Sequence, residues 1–218
     1  METKIEPMNL KESFKDFIIN KNHPCVMARS LFTDDNVEIH AFDELGSEET
    51  ARKLLMAMEH YLSGYNFENN TFETLIAVFP NEKINSELEF EEKMWKQLQL
   101  INNVDPHPWD SEVSSDPENS KFSFSIAGKA FYIIGMHPKS SRMARQAPFP
   151  AMVFNLHSQF EKLREMGVYQ RVKKRIRKAD EKLQGSINPM LDDFGDSSEA
   201  KQYSGRAVDT NWKCPFHH

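Results

Sequence analysis

The stretch that decides the fold lies at residues 122–134, which read Phe122-Ser123-Phe124-Ser125-Ile126, Ala127-Gly128-Lys129 and Ala130-Phe131-Tyr132-Ile133-Ile134. The first five of these residues alternate between apolar and polar side chains, which is the period of a β-strand. The short segment around Gly128 can turn the chain so that a second strand follows. The stretch therefore predicts a β-hairpin, and hairpin-connected strands favour an α+β fold over a parallel α/β sheet.

Three further segments extend the predicted sheet. Residues 37–42 alternate, residues 71–79 form an apolar run rich in β-branched side chains, and residues 151–156 form another apolar run. Pro80 ends the second segment, and Pro148 and Pro150 precede the third. Each has the composition and length of a strand, so we expect an antiparallel or mixed central sheet.

Helix signals flank these strands. Ser47 and the capping box that begins at Ser86 each precede a helical apolar stripe. An amphipathic first helix is expected to end before Pro24, and two charged helices are expected on either side of Gly167. The chain after Gly185 is long for a loop, so it is either disordered or an ordered irregular segment. We adopt the second interpretation, within a single domain that covers residues 1–218.

Composition narrows the class of protein. The 218 residues are 39% hydrophobic and 28% charged, which is typical of a globular domain. Two cysteines, Cys25 and Cys214, are too few for a disulfide framework, and no apolar run approaches a membrane span. We therefore expect a soluble cytoplasmic protein without a membrane partner.

The net charge of -6 argues against nucleic-acid binding, although residues 162–182 carry a basic run. That run is interpreted as a solvated helix face, with a nucleic-acid patch as the alternative.

Three clusters could carry chemistry. The loop at residues 135–145 contains His137, Ser140, Ser141, Arg142 and Arg145. These side chains could bind an anion, but an ordinary polar loop can have the same composition. His157 and Gln159 lie where a predicted strand meets a helix. Such junctions hold side chains in fixed directions, as a binding site requires, but a residue that only caps the helix would occur at the same place.

The third cluster lies in the tail after Gly185. Its acidic and aromatic side chains could hold a cation, or could face solvent in a disordered segment. They are Asp192, Asp193, Glu199, Tyr203 and Trp212. Common dinucleotide, P-loop, hydrolase and zinc-protease motifs are absent from the sequence, so motif spacing alone predicts no reaction.

Taken together, these clusters resemble the YqcI/YcgG family. The resemblance lies in residues 137–142, 154–164, 188–206 and 212–216, and residues 24–28 (Pro-Cys-Val-Met-Ala) are similar to the family's N-terminal motif. It covers roughly the whole chain and is densest over residues 130–216. The resemblance implies a haem enzyme that hydroxylates a guanidine nitrogen, of arginine or a related compound, using O₂ and an external electron donor, or peroxide. A homodimer is compatible with it, and a haem-binding sensor or carrier without turnover is the alternative.

The resemblance also implies roles for individual residues. His157, His137 and Cys214 remain open as the axial ligand, because haem iron accepts either imidazole or thiolate. His137, His157 and Glu199 are the expected catalytic residues. Haem contacts are expected from Ser140, Ser141, Arg142, Arg145, Gln159 and Arg206. Substrate contacts are expected from Asp192, Asp193, Glu199, Tyr203 and Trp212.

Overall fold

The computed structural model describes residues 7–69, 71–188, 190 and 193–218. Within them, five strands form one sheet in the order β1-β2-β5-β4-β3. The strands are β1 Val37–Ala41, β2 Thr74–Val78, β3 Phe124–Ile126, β4 Lys129–Met136 and β5 Ala151–Leu156. The β1–β2 pair is parallel, and the β2–β5, β5–β4 and β4–β3 pairs are antiparallel. The expected α+β fold with a mixed sheet is confirmed.

The hairpin predicted from residues 122–134 is the β3–β4 pair. Its connection consists of Ala127 and Gly128, both with positive φ, 51° and 73°. Positive φ at both central residues matches the type I′ turn, whose twist suits paired antiparallel strands. Glycine accepts this conformation readily, whereas Ala127 adopts it against its steric preference.

Seven α-helices are described in these residues, with two shorter helical turns. The α-helices are α1 Pro7–Lys15, α2 Val26–Thr33, α3 Glu48–Gly64, α4 Glu87–Val104, α5 His157–Glu165, α6 Tyr169–Gln184 and α7 Ala200–Tyr203. A π-helix, Asp16–Asn20, continues α1, and a 3₁₀-helix covers Met143–Arg145. The eight-residue α2 was not predicted, because it is too short to show a clear helical period.

The predicted helix caps of α3 and α4 are present. The Ser47 hydroxyl accepts a hydrogen bond from the Thr50 N–H, 3.2 Å, and the Ser86 hydroxyl accepts one from the Glu89 N–H, 3.1 Å. The reciprocal bond of the capping box is shifted by one residue, since the Glu89 carboxylate accepts from the N–H of Asn85 at 2.9 Å. Each cap satisfies an N–H group that the helix leaves unpaired.

The sheet has two covered faces, which we call the α4 face and the α2 face. Helices α3 and α4 pack on the α4 face, while α1, the π-helix and α2 pack on the α2 face. Because successive strand residues point to opposite faces, Phe154 joins the core of the α4 face and Val153 that of the α2 face. No helix of the described residues is both long and apolar enough to cross a membrane.

The C-terminal segment, defined as residues 185–218, is irregular apart from α7 where the structure describes it. Tyr203 and Phe216 are fully buried, and Cys214 is buried beside them in the core of the α4 face. Gly135 of β4 permits this packing, because a Cβ at that position would lie 2.6 Å from the Phe90 ring and 2.8 Å from the Tyr203 carbonyl oxygen. The expected ordered segment is therefore present in its described residues.

Candidate functional site

A cavity of about 300 Å³ lies on the α2 face of the sheet. Its floor is formed by side chains that share this face of β2, β4 and β5, namely Thr74, Ile76, Tyr132, Ile134, Met136, Val153 and Asn155. The volume is at the lower end of the range for small-molecule sites, roughly 300–1,000 Å³. The lining is mainly apolar, with a few polar groups at its edges, as such sites usually have.

Helix α6 forms the wall opposite this floor. The cavity is lined by residues that recur every three or four positions along α6: Tyr169, Val172, Lys173, Ile176, Arg177 and Asp180. This spacing places them on one side of the helix. Asp180 alone among the described α6 residues is buried, so Val172 and Ile176 are incompletely covered. An apolar molecule bound between α6 and the sheet would complete their burial.

The turn before α2 contributes a histidine and a thiol. His23 Nε2 donates to the Ala144 carbonyl oxygen, 2.8 Å, and His23 Nδ1 accepts from the Cys25 N–H, 3.2 Å. These two bonds define the tautomer and hold the turn against the 3₁₀-helix. Cys25 is a free cysteine that lines the cavity and caps α2, with its Sγ 3.5 Å from the Ala28 nitrogen. Burial raises the pKa of the Cys25 thiol.

His157 lies at the junction of β5 and α5, as the sequence predicted, and it lines the cavity. Its ring meets the Phe194 ring edge-on at a centroid distance of 4.4 Å. The Nε2 atom is 3.3 Å from the Glu161 carboxylate, whereas Nδ1 is buried without a hydrogen-bond partner among the described residues. Burial lowers the pKa of His157, so the neutral imidazole that a metal ligand requires is favoured.

Glu199 places an acid in the cavity lining. Its side chain is buried, and the Tyr203 hydroxyl donates to its Oε2 at 3.3 Å. Burial raises the pKa of Glu199 to about 8, so the carboxylic acid is mostly protonated at neutral pH. Beside it, the Tyr132 hydroxyl donates to Gln202 Oε1 at 2.6 Å. These polar groups could meet a polar or cationic group of a bound molecule.

Cationic side chains surround the cavity, and each already has partners. Arg142 contacts Asp180 at 2.5 Å and Ser186 Oγ at 3.0 Å. Buried Arg145 donates to backbone carbonyls, of which that of Gly135 is 2.8 Å away. Lys173 pairs with Asp193. A ligand carboxylate would therefore have to displace a partner or share the cation with it.

The structure brings together five of the residues predicted for the site. The cavity lining includes His157, Glu199, Arg142, Arg145 and Asp193. The predicted substrate residue Asp192 lies outside the described residues. The remaining predicted residues are absent from the lining: His137, Ser140, Ser141, Gln159, Tyr203, Arg206, Trp212 and Cys214.

Two of the predicted axial ligands lie on the α4 face. His137 is 1% exposed and stacks on Phe90 of α4 at a centroid distance of 4.5 Å; burial lowers its pKa to about 4. Cys214 belongs to the core of the same face, where burial raises its pKa to about 12. The sheet separates this core from the cavity, so neither residue can share a ligand with His157 in this arrangement.

Arg206 and Trp212 bind a buried carboxylate on α4. Glu91 accepts from Arg206 Nε at 2.7 Å, from Arg206 Nη2 at 2.8 Å and from Trp212 Nε1 at 2.9 Å. The hydroxyl of Ser204 donates to the same carboxylate at 2.9 Å. These bonds hold the C-terminal segment on α4, which is a structural role for the pair outside the cavity lining.

The uncharged polar residues predicted to contact haem form hydrogen bonds with other parts of the protein. Ser141 donates through its backbone N–H and its hydroxyl to Glu87, at 2.9 and 2.8 Å. Gln159 donates to the Glu73 carbonyl oxygen at 2.7 Å, and Ser140 Oγ accepts from the Arg142 N–H at 3.3 Å. They shape the loops beside the cavity.

Sequence reasoning missed His23 and Cys25 as site residues. The signal was present, because Pro24-Cys25 begins the N-terminal stretch that resembles the family. It was overlooked because α2 was not predicted, and without α2 the turn had no expected position against the sheet. No group of three or more His, Cys, Asp or Glu side chains suited to a metal ion occurs among the described residues.

Comparison with known proteins gives one family. The model of the YqcI/YcgG family matches residues 14–217. The chain is 26% identical to the uncharacterized protein YqcI of Bacillus subtilis (strain 168) over 203 residues, which cover 88% of this chain and 80% of YqcI. It is also 26% identical to the uncharacterized protein YcgG of the same strain over 206 residues, with the same coverage. No solved structure matches the chain significantly. The chain belongs to the YqcI/YcgG family.

Proposed function

We propose that this protein is a cytoplasmic haem-dependent N-oxygenase that hydroxylates a nitrogen of a guanidino compound, such as arginine, or of a related amine. One observation carries the proposal: an apolar cavity between a sheet and a helix is lined by a thiol, an imidazole and a buried acid. Cys25, His157 and Glu199 are those groups, and all three lie in stretches that resemble the family's motifs.

The cavity suits haem in its apolar lining and in its candidate ligands. The incompletely covered side of α6 and the floor of the sheet line the same cavity, and an apolar ring system bound there would cover both. Haem iron needs from the protein a single axial ligand, so the absence of a larger metal-binding group among the described residues does not bear on haem. Arg142 is the residue that we propose for propionate binding, because its guanidinium lines the cavity and could share its charge between Asp180 and a ligand carboxylate.

Cys25 is the axial ligand that we propose, and His157 is the alternative. The Cys25 sulfur lies at the N-terminus of α2, where a thiolate is favoured by the N–H groups of the first turn. Metal binding would overcome the raised pKa by displacing the thiol proton. His23 is less suitable, because both ring nitrogens already have hydrogen-bond partners.

When bound, haem would supply the activation of O₂, and a thiolate ligand would favour O–O cleavage. The overall reaction balances as R–NH₂ + O₂ + 2 e⁻ + 2 H⁺ → R–NHOH + H₂O. Glu199 would ionise on meeting a guanidinium, and the resulting charged hydrogen bonds would orient the substrate. The apolar walls contributed by Ile134 and Val153 would exclude water from the reacting nitrogen.

The test of this function is turnover by haem-replete protein. Arginine, agmatine and simple guanidines are incubated with O₂ and reductant, or with peroxide, and products are analysed by mass spectrometry for a mass gain of one oxygen. We expect an N-hydroxylated product and its loss in Glu199→Gln. Haem-replete protein that oxidises no guanidino compound or amine under either condition would contradict the enzyme assignment and leave haem binding standing.

A haem-binding sensor or carrier is the second candidate. It is favoured by the presence of both Cys25 and His157 in one cavity lining, because two axial ligands would leave no open position for O₂. Low-spin, six-coordinate iron that reacts with neither O₂ nor peroxide would support the sensor. Five-coordinate iron would support the enzyme.

A further inference from the structure

Helix α6 has two sides of different character. The side that lines the cavity carries Tyr169, Val172 and Ile176. At 3.6 residues per turn, the five residues that point most directly away from the cavity are all cations. They are Arg171, Lys174, Arg175, Lys178 and Lys182, which we call the basic stripe.

The basic stripe is open to solvent. All five side chains are exposed, and none forms an ion pair within the part of the chain that the structure describes. The other basic side chains near the cavity differ, because Arg142 pairs with Asp180 and Lys173 pairs with Asp193. Glu181, which is also exposed, lies at the edge of the stripe, three residues after Lys178, and is an acidic neighbour of it. The stripe therefore keeps a net positive charge for an external partner.

This local charge opposes that of the chain as a whole. The net charge is -6, so an extended polyanion such as nucleic acid would meet repulsion beyond the stripe. From Arg171 to Lys182 the stripe is about 16 Å long, at about 1.5 Å per residue. That size suits the small, polar contacts of transient electron-transfer complexes. A compact acidic protein fits both the length and the charge.

The stripe also lies close to the cavity. One helix separates them, and a helix with its side chains is about 10–12 Å in diameter. A redox centre held against the stripe would thus face the cavity contents through a single layer of structure. The proposed hydroxylation consumes two electrons for each product, and an electron donor must deliver them.

We propose that the basic stripe of α6 is the docking surface for a small acidic electron-carrier protein with a flavin or an iron–sulfur cluster. The role of the partner as an electron donor rests on the proposed function, but its binding to the stripe can be measured without turnover. Electrostatic steering of this kind raises association rates and weakens as salt screens the charges.

The experiment measures binding of an acidic flavodoxin to the immobilised 218-residue protein, between about 50 and 300 mM salt. The test variant is Lys174→Glu/Lys178→Glu. The control variant is Lys83→Glu/Lys96→Glu, which makes the same charge change at exposed positions remote from α6. Glutamate and lysine have similar helix propensities, so we expect the test variant to fold normally.

We expect salt-sensitive binding that weakens about ten-fold or more in the test variant, with the control near wild type. In haem-replete protein, the rate of haem reduction by the flavodoxin should fall in parallel, while reduction by dithionite stays unchanged. Equal losses in both variants would attribute the effect to net charge and overturn the proposal. Absence of flavodoxin binding at low salt would also overturn the proposal. Binding of a DNA duplex without binding of flavodoxin would overturn it in the same way. Failure to retain haem would contradict the proposed function and leave the binding result intact.

Discussion

The two faces of the sheet differ in how completely they are filled. On the α4 face, helices α3 and α4 and the C-terminal segment close a continuous core around fully buried residues such as Phe154 and Phe216. On the α2 face, the core around Phe14 and Ile76 gives way to a cavity of about 300 Å³ beneath α6. One side of the sheet is therefore a closed core, and the other borders an open cavity, where we propose that binding takes place.

Neighbouring isoleucines of β4 provide the largest test of this contrast. Ile133 is fully buried on the α4 face, and Ile134 lines the cavity on the α2 face. We expect Ile133→Ala to lower the free energy of unfolding by about 2–5 kcal/mol, because it leaves a hole in a closed core. Ile134→Ala should cost about 1 kcal/mol or less in the haem-free protein, since its side chain already borders open space.

Urea unfolding followed by circular dichroism measures both variants in the absence of haem. Equal losses of stability at the two positions would contradict the distinction between a closed and an open face. When haem is supplied, Ile134→Ala should retain less of it than Ile133→Ala in the folded state.

The buried carboxylate of Glu91 tests how the C-terminal segment is held on the α4 face. Burial raises the pKa of Glu91, but the hydrogen bonds from Arg206, Trp212 and Ser204 outweigh it and leave the pKa below its ordinary value. Replacing Glu91 by Gln should cost about 1–3 kcal/mol of stability at pH 7, because it removes the charge that Arg206 pairs with. Urea unfolding of Glu91→Gln, beside the exposed-site control Glu92→Gln, measures this difference.

The lowered pKa of Glu91 also has a defined pH dependence. A carboxyl group with a depressed folded-state pKa stabilises the protein above its unfolded pKa, and this contribution is lost as the pH falls through the folded value. The stability difference between wild type and Glu91→Gln should therefore shrink below about pH 4. A difference that stays constant from neutral to acidic pH would show that the charge is unimportant.

Glu199 on the cavity side should show the opposite pH dependence of stability. Burial raises its pKa to about 8, so the folded state binds its proton more tightly than the unfolded state does. Its stabilising contribution is present below the ordinary pKa of Glu and is lost as the pH rises toward 8. The melting temperature of wild type should fall relative to Glu199→Gln between about pH 5 and pH 8. Parallel curves for the two proteins would contradict a protonated Glu199.

The sequence predicted the elements of the fold well because their signals are local. The alternation at residues 122–126, the serines at positions 47 and 86 and the helix break at Gly167 each act within one or two turns. The parallel pairing of β1 with β2 was not predicted in itself and is only consistent with the expected mixed sheet. Pairing between distant strands has no local sequence signal. The short α2 had no period long enough to recognise.

The residues that line the cavity were predicted in part for the same reason. His157 was found because a strand-to-helix junction is visible in the sequence, and the structure has it there. Motif membership could not show which face of the sheet a residue joins, so His137 and Cys214 were grouped with His157 although they lie in the other core. Cys25 became a candidate once the position of α2 was known.

The most direct test of the central claim compares the two cysteines, one from each face. Wild type, Cys25→Ala and Cys214→Ala are expressed with a haem precursor, and haem content and the spectrum of the reduced CO complex are recorded. We predict near-stoichiometric haem in wild type and in Cys214→Ala, with a CO band at about 450 nm. In Cys25→Ala we predict loss of haem, or retained haem with a CO band at about 420 nm. Absence of haem in wild type, or a loss of haem in Cys214→Ala with Cys25→Ala unaffected, would contradict a haem site on the α2 face held by Cys25.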